Sequence, residues 1–371
     1  MKTAISFVAL TAALSFGATV PPIKQLPFGE VDGKPISIYL LKNAAGMEVT
    51  ITNYGGAVTS IKVPDRNKAL GNVVLGFDSV APYQTTTSYF GALIGRYGNR
   101  IGKAEFQLEG KVYHIPANEN GNALHGGTTG FNKRIWDAKD VSTAKAPALE
   151  MHYLSPDGEM GFPGNLDVTV RYTLDAKNGL EIDYSATTDK ATVLNLTNHT
   201  YFNLAGAGND TVLKHRLTIR ADHYTPVDGA LLPTGVVQAV EGTPFDFRHG
   251  NVIGSRINED NEQLKLGKGY DHNFVLNEPH TLKQWAVRVE ERSTGRVMEV
   301  FTDQPAVQFY TGNFLDGTAH GVGGDFKFRS AICLETQHYP DSPNHPNFPS
   351  TELRPGEKYH TVTIYRFSTE E

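Results

Sequence analysis

Cysteine is almost missing: Cys333 is the only one in 371 residues. No intramolecular disulfide can form, and no structural zinc site built on paired cysteines is available. Basic residues make no block or stripe. Lys and Arg total 34 against 40 Asp and Glu, a formal net charge of −6, so no nucleic-acid partner is expected. Long apolar runs are missing too. The uncharged stretch Ala4 to Phe16 has 13 residues, short of the ~20 that a membrane-spanning helix requires. Its setting is that of a secretory leader: Lys2 precedes it, and Ser15 and Gly17 stand at the small-residue spacing of a signal-peptidase cut. Residues 1–17 therefore read as a signal peptide and 18–371 as one domain, exported to the periplasm or secreted. No membrane partner is expected.

Familiar catalytic motifs are also lacking. There is no Gly-x-Ser-x-Gly elbow, no phosphate-binding Gly-x4-Gly-Lys-Ser/Thr loop and no His-Glu-x-x-His. The thirteen histidines are scattered.

What is present suits a large β protein. At 39% hydrophobic, with 16 Tyr and 19 Phe, the chain can bury a sizeable core, which excludes disorder. The 37 glycines and 20 prolines fall largely between short alternating runs. In Leu166 to Leu174 every second residue is apolar. Asp175 to Gly179 makes a turn, and Leu180, Ile182, Tyr184 and Ala186 continue the alternation. That pattern predicts a hairpin of half-buried strands. Phe106 to Tyr113 predicts a second, turning at Glu109-Gly110. Further strands are expected near Val49 to Tyr54, Leu217 to Arg220, Trp285 to Glu290, Val297 to Phe301 and Tyr359 to Phe367. Helical signals are few, and the best spans Val252 to Leu264. Ala144 to Ala148 reads as a hairpin loop, and the four-proline stretch Tyr339 to Pro349 as a long ordered loop. No fixed-period repeat or low-complexity linker divides the chain. The expected fold class is all-β: a large antiparallel β-sandwich with few short helices.

Chemistry-bearing residues cluster in four segments: Gly95 to Ile101, Asn118 to Gly127, Leu196 to Leu204 and Gly269 to Phe274. A fifth, Ile332 to Gln337, alternates so that Ile332 and Leu334 share one face, with Cys333, Glu335 and Gln337 on the other. Each has a plain structural explanation alone: a turn at His125-Gly126-Gly127, a strand end at His199, a surface turn at Asp271-His272, a small hydrophobe at Cys333. Together they suit acid–base chemistry on a polar substrate. A carboxylate and an imidazole on opposite sides of a small molecule can take one proton and give another. Asn, Gln and Arg supply directed hydrogen bonds, and aromatics pack on a sugar's apolar face.

In this order the segments resemble those of the aldose 1-epimerase, or galactose mutarotase, family. The resemblance runs from Ile51-Thr52-Asn53-Tyr54-Gly55-Gly56 to the last strand. It includes Asp157 to Gly164 and Val307 to Asn313. It departs from the family in the leader and at Tyr97-Gly98. It implies a large antiparallel sandwich and interconversion of the α and β anomers of free aldohexoses such as D-glucose and D-galactose. It implies Glu335 as general base and His199 as general acid. His125 is implied as a second active-site histidine, Asp271 as a hydroxyl acceptor, Asn99, Arg100 and Gln308 as sugar-binding groups, and Tyr201 as a neighbour of the sugar. No redox cofactor or metal is implied, the partner is a small-molecule sugar, and a monomer is expected. The scheme asks for His199 to be protonated near neutral pH, helped by carboxylates such as Asp271, and for Glu335 to be ionised. Rival readings are a non-catalytic sugar-binding module, a hexose-6-phosphate epimerase and a metal-dependent sugar isomerase.

Overall fold

The computed structural model describes residues 20–370, so the leader assigned to residues 1–17 lies outside the described residues. Antiparallel strands dominate. One sheet of nine strands runs in the spatial order 137–140, 148–155, 166–174, 179–188, 359–369, 296–302, 287–290, 216–219 and 251–252. A sheet of six runs 201–202, 332–337, 306–310, 271–275, 223–225 and 238–239. A sheet of five, built from consecutive strands between Lys24 and Asn72, packs beside them. The main core draws Val168, Val170 and Tyr172 from the first sheet, Phe274, Phe309 and Leu334 from the second and Val49 and Ile51 from the third. This is the expected sandwich.

The predicted hairpins form where the alternation places them. Leu166–Leu174 pairs with Gly179–Thr188, Leu174 opposite Leu180. Val168, Val170 and Tyr172 are buried while Asp167 and Arg171 face solvent, as a half-buried strand requires. Glu105–Leu108 pairs with Lys111–His114 through Glu109 and Gly110, both at positive φ (50° and 78°). That is the type I′ geometry whose twist matches a two-residue hairpin.

The helix expected over Val252 to Leu264 is a correction. Asn251–Val252 is a strand end, Ile253–Ser255 a single 3₁₀ turn, and only Glu262–Gly267 is α-helical. Asn261 starts that helix, its Oδ1 accepting from the amides of Gln263 and Leu264. The polar run Asn258-Glu259-Asp260-Asn261 favours turns and caps over helix interior. Ile253 and Ile257 reach the core without it.

The Pro-rich loop is ordered and pinned. Asp341 Oδ1 accepts from the Gly102 amide at 2.9 Å, Tyr97 Oη accepts from the Ser342 amide at 3.1 Å, and Phe348 is buried against Tyr339. The strand Ile332–Gln337 is buried throughout. Leu334 lies on its core face, fully enclosed. Truncation there, Leu334→Ala, is expected to cost ~2–5 kcal/mol through the lost burial and the cavity left behind, read as a lower denaturant midpoint.

Candidate active site

Register across the six-stranded sheet assembles half of the site. Glu335 lies opposite Gln308, which lies opposite Asn273. In the next row, Tyr201 is opposite Cys333, Cys333 opposite Tyr310, and Tyr310 opposite Asp271. Alternation sends Leu334 and Phe309 into the core and leaves Glu335, Gln308, Asp271, Tyr310 and Tyr201 on the other face.

Loops supply the rest. His199 follows the short strand Thr197–Asn198, which pairs with Leu93–Ile94. Its amide donates to Ala92 O and its carbonyl accepts from Gly91 N, both at 3.0 Å. His125 is held by Asn99: the His125 amide donates to Asn99 O at 2.9 Å, and the Asn99 amide donates to His125 Nδ1 at 3.1 Å. Because Nδ1 accepts, the neutral ring carries its proton on Nε2. Gly126 has a steric cause. It sits at φ 89°, and a Cβ there would lie 2.1 Å from Gly95 O. Arg100 is gripped by Glu119, with Nε on Oε2 at 2.5 Å and Nη2 on Oε1 at 2.7 Å.

These parts enclose an open cleft of about 210 Å³. Seven of the eight residues named from the sequence line it: Glu335, His199, His125, Asn99, Arg100, Asp271 and Tyr201. The eighth, Gln308, stands beside it and donates from Nε2 to Asp271 Oδ1 at 2.7 Å. His199 Nε2 and Glu335 Oε1 face each other at 3.6 Å. The rings of His125 and His199 meet edge to face, centroids 5.1 Å apart. The second nitrogen of His199, Nδ1, is 3.5 Å from Cys333 Sγ.

Burial governs the charges. It pushes the Glu335 carboxyl well above the usual carboxylate range, with repulsion from Asp271 adding and attraction to Arg100 opposing. Asp271 is raised for the same leading reason, while Arg100 and the Gln308 hydrogen bond pull it down. Burial lowers His199 to about 4. His125 is driven well below the usual imidazole value by burial, His199 and Arg100. The expectation that His199 holds a proton near neutral pH with help from Asp271 is thus corrected: burial lowers the ring. Desolvation is the largest cause at both members of the Glu335–His199 pair, and it shifts each toward its neutral form.

Comparison with known proteins agrees with this architecture. The model of the aldose 1-epimerase family matches residues 37–366. Mouse galactose mutarotase is 46% identical over 93% of this chain and 98% of its own length. Escherichia coli aldose 1-epimerase is 39% identical over 94% of this chain and all of its own. The chain belongs to the aldose 1-epimerase family. The crystal structure of galactose 1-epimerase from Lactobacillus acidophilus superposes with a TM-score of 0.83 at 28% identity, covering 95% of this chain and all of that one.

Within this cleft, sequence reasoning missed Tyr89, Glu119, Tyr310 and Phe314, all of which line it. Glu119 and Tyr310 lie inside motifs already singled out, so their segments carried a signal. Tyr89 and Phe314 carried none. Tyr89 packs on both histidines, 4.4 Å from the His125 ring and 5.7 Å from that of His199. Two motif residues have structural tasks instead. Arg96 is buried, donating to Ser155 Oγ, Ser155 O, Pro156 O and Pro163 O. His272 turns into the core, its Nε2 3.2 Å from Gln263 Oε1.

His125, His199 and Glu335 bring ligand atoms within 4.8 Å of one another. The trio is nevertheless poorly suited to a metal. With His125 Nδ1 accepting a backbone proton, coordination through Nε2 would demand an imidazolate.

Proposed function

We propose that Glu335 is the general base and His199 the general acid of an aldose 1-epimerase site acting on free aldohexoses such as D-glucose and D-galactose. The activity follows from the family: relatives at 39–46% identity over most of the chain are galactose mutarotases and aldose 1-epimerases, and this chain is an isomerase acting on carbohydrates. The observation that carries the assignment of roles is the facing of His199 Nε2 and Glu335 Oε1, both buried side chains, inside one polar-lined cleft.

The resting pair, Glu335–COOH with neutral His199, holds as many protons as the working pair, Glu335 carboxylate with His199 imidazolium. A sugar whose C1 hydroxyl donates to Glu335 and whose ring oxygen accepts from His199 Nε2 favours the ionised arrangement through hydrogen bonds to its charges. Glu335 then takes the O1 proton as the C1–O5 bond breaks, and His199 protonates O5. The open-chain aldehyde turns about C1–C2. The ring closes on its other face as His199 takes the O5 proton back and Glu335 returns its proton to O1. No electrons leave the sugar, so the reaction asks for no redox cofactor. His125 offers a fixed Nε2–H donor, Asp271 a hydroxyl acceptor, and Arg100 and Asn99 donors.

Lining charge argues against a phosphorylated substrate. Among the described residues Arg100 is the one Lys or Arg lining the cleft, and it is already taken by Glu119, which leaves no other Lys or Arg there to pair with a phosphate. Polarimetry on freshly dissolved α-D-galactose and on glucose 6-phosphate separates the two readings: the free sugar should be accelerated and the phosphate should not. Binding without acceleration of either would support a non-catalytic module.

Blank-corrected kcat/KM should trace a bell. Below about pH 4, the value to which His199 is lowered, both groups are protonated and the base is lost. Above the raised value of Glu335 the pair has given up its shared proton and the acid is lost. A profile lacking both limbs between pH 3 and 10 would remove this pairing.

The same reading takes residues 18–371 as one monomeric domain exported by the leader at 1–17. The family match over residues 37–366 supports one domain, and the leader pattern supports export. Activity in periplasmic or culture fractions, and elution as a monomer on a calibrated sizing column, are the expected results.

A further inference from the structure

Arg100 shares its cleft with three carboxylates: Glu119, Asp271 and Glu335. It has paired with Glu119, the one of the three that has no assigned part in the reaction or in holding the sugar. Both oxygens of Glu119 receive guanidinium N–H groups, a bidentate fork with little freedom to turn. Among the described residues Arg100 makes no ion pair with Asp271 or Glu335, although both feel its charge. Glu119 reaches in from a tight turn, Glu119 to Asn122, whose central residues Asn120 and Gly121 are at φ 49° and 84°. The Asn118 side chain ties that turn to Leu124, its Oδ1 accepting from the Leu124 amide at 2.7 Å.

We propose that Glu119 is a positioning residue: its two-oxygen grip holds the Arg100 guanidinium away from Glu335 and Asp271, so that the base stays free and the remaining N–H groups of Arg100 face the sugar. The inference rests on the assignment of Glu335 as base. Around Glu335 stand Asp271, Cys333, Tyr201 and Tyr310 on its own sheet, Tyr365 behind it, and Arg100, His199 and Tyr89 from other segments. With His199 neutral, Arg100 is the one cation in that set, so the direction it points tunes the basicity that burial has raised in Glu335. An arginine released from Glu119 would turn to Glu335 or Asp271, and a base held in an ion pair gives up its proton at lower pH and takes one less readily.

The test is polarimetric kinetics with D-galactose across pH, on the full chain, for wild type, Glu119→Gln, Glu119→Ala and Glu119→Asp. In the Gln and Ala variants the alkaline limb of kcat/KM should move to lower pH by about one unit, the size of a newly close opposite charge, and KM should rise about tenfold. Glu119→Asp keeps the charge and should keep the limb near its wild-type place. The Glu119 side chain is 25% exposed on a turn, so the fold should tolerate all three, and agreement between Gln and Ala guards against a fault in either. A limb that stays within ~0.2 units of wild type in both Gln and Ala variants, whatever KM does, overturns the proposal. So does an equal shift in Glu119→Asp. Glu335→Gln assayed alongside separates the causes. If it is inactive while the Glu119 variants are unchanged, only the grip is refuted; if it is active, the assignment of the base is refuted.

Discussion

Glu335→Gln is expected to lower kcat for galactose mutarotation by ~10²–10⁴-fold, the usual weight of a general base, while KM changes little. Glutamine has the same shape and can still accept and donate hydrogen bonds, but it cannot take the O1 proton. Stability should move the other way. Burial holds the Glu335 carboxyl well above its ordinary value, so the folded state retains a proton that the unfolded state releases. That contribution is present below the unfolded value near 4.5 and is lost as pH rises through the raised folded value. An uncharged Gln escapes the loss, so Glu335→Gln should melt at the same temperature as wild type or higher at pH 8. A melting point several degrees below wild type would show that the carboxyl is structural, and kcat above a tenth of wild type would remove Glu335 from the chemistry.

His199→Asn should also cost ~10²–10⁴-fold in kcat, and it should erase the acid limb near pH 4 that belongs to His199. The neighbouring histidine cannot take over. His125 Nδ1 is committed to the Asn99 amide, and burial with two neighbouring groups, His199 and Arg100, holds the ring well below the usual imidazole value. The double variant Glu335→Gln/His199→Asn should be no slower than the slower single one, because residues that pass protons as a unit are not additive. Fully additive losses would mean that the two groups act in separate steps. Retention of the acid limb in His199→Asn would assign that limb to another residue.

Much of the fold was legible because strand signals are local. The inward set Val168, Val170, Tyr172 and the outward set Asp167, Arg171 repeat every second residue, and the structure buries them accordingly. The helix expected from Val252 failed because four apolar positions at helical spacing say nothing about the polar run between them, where Asn261 starts a new cap. Site residues were legible where a motif named them. Tyr89 and Phe314 were not, since an aromatic in a loop reads alike whether it roofs a cleft or covers a core. Arg96 and Arg100 show the same limit. They are four residues apart in one motif, yet Arg96 is spent on backbone carbonyls and Ser155, while Arg100 reaches the cleft.

By itself the sequence determined the strand pattern, the class of fold, the residue types able to exchange protons with a sugar, and the resemblance that assigned them roles. Tertiary structure decided which of those residues meet. Pairing across the sheet sets Gln308 beside Glu335 and Asp271 beside Tyr310, and a loop 136 residues away in sequence brings His199 within 3.6 Å of the base. It also decided which way the two titrating groups shift. The sequence reading asks for a charge on both members of the pair; burial in the cleft shifts each toward its neutral form. The physical reason is that alternation is written residue by residue, whereas desolvation depends on everything that packs around a group.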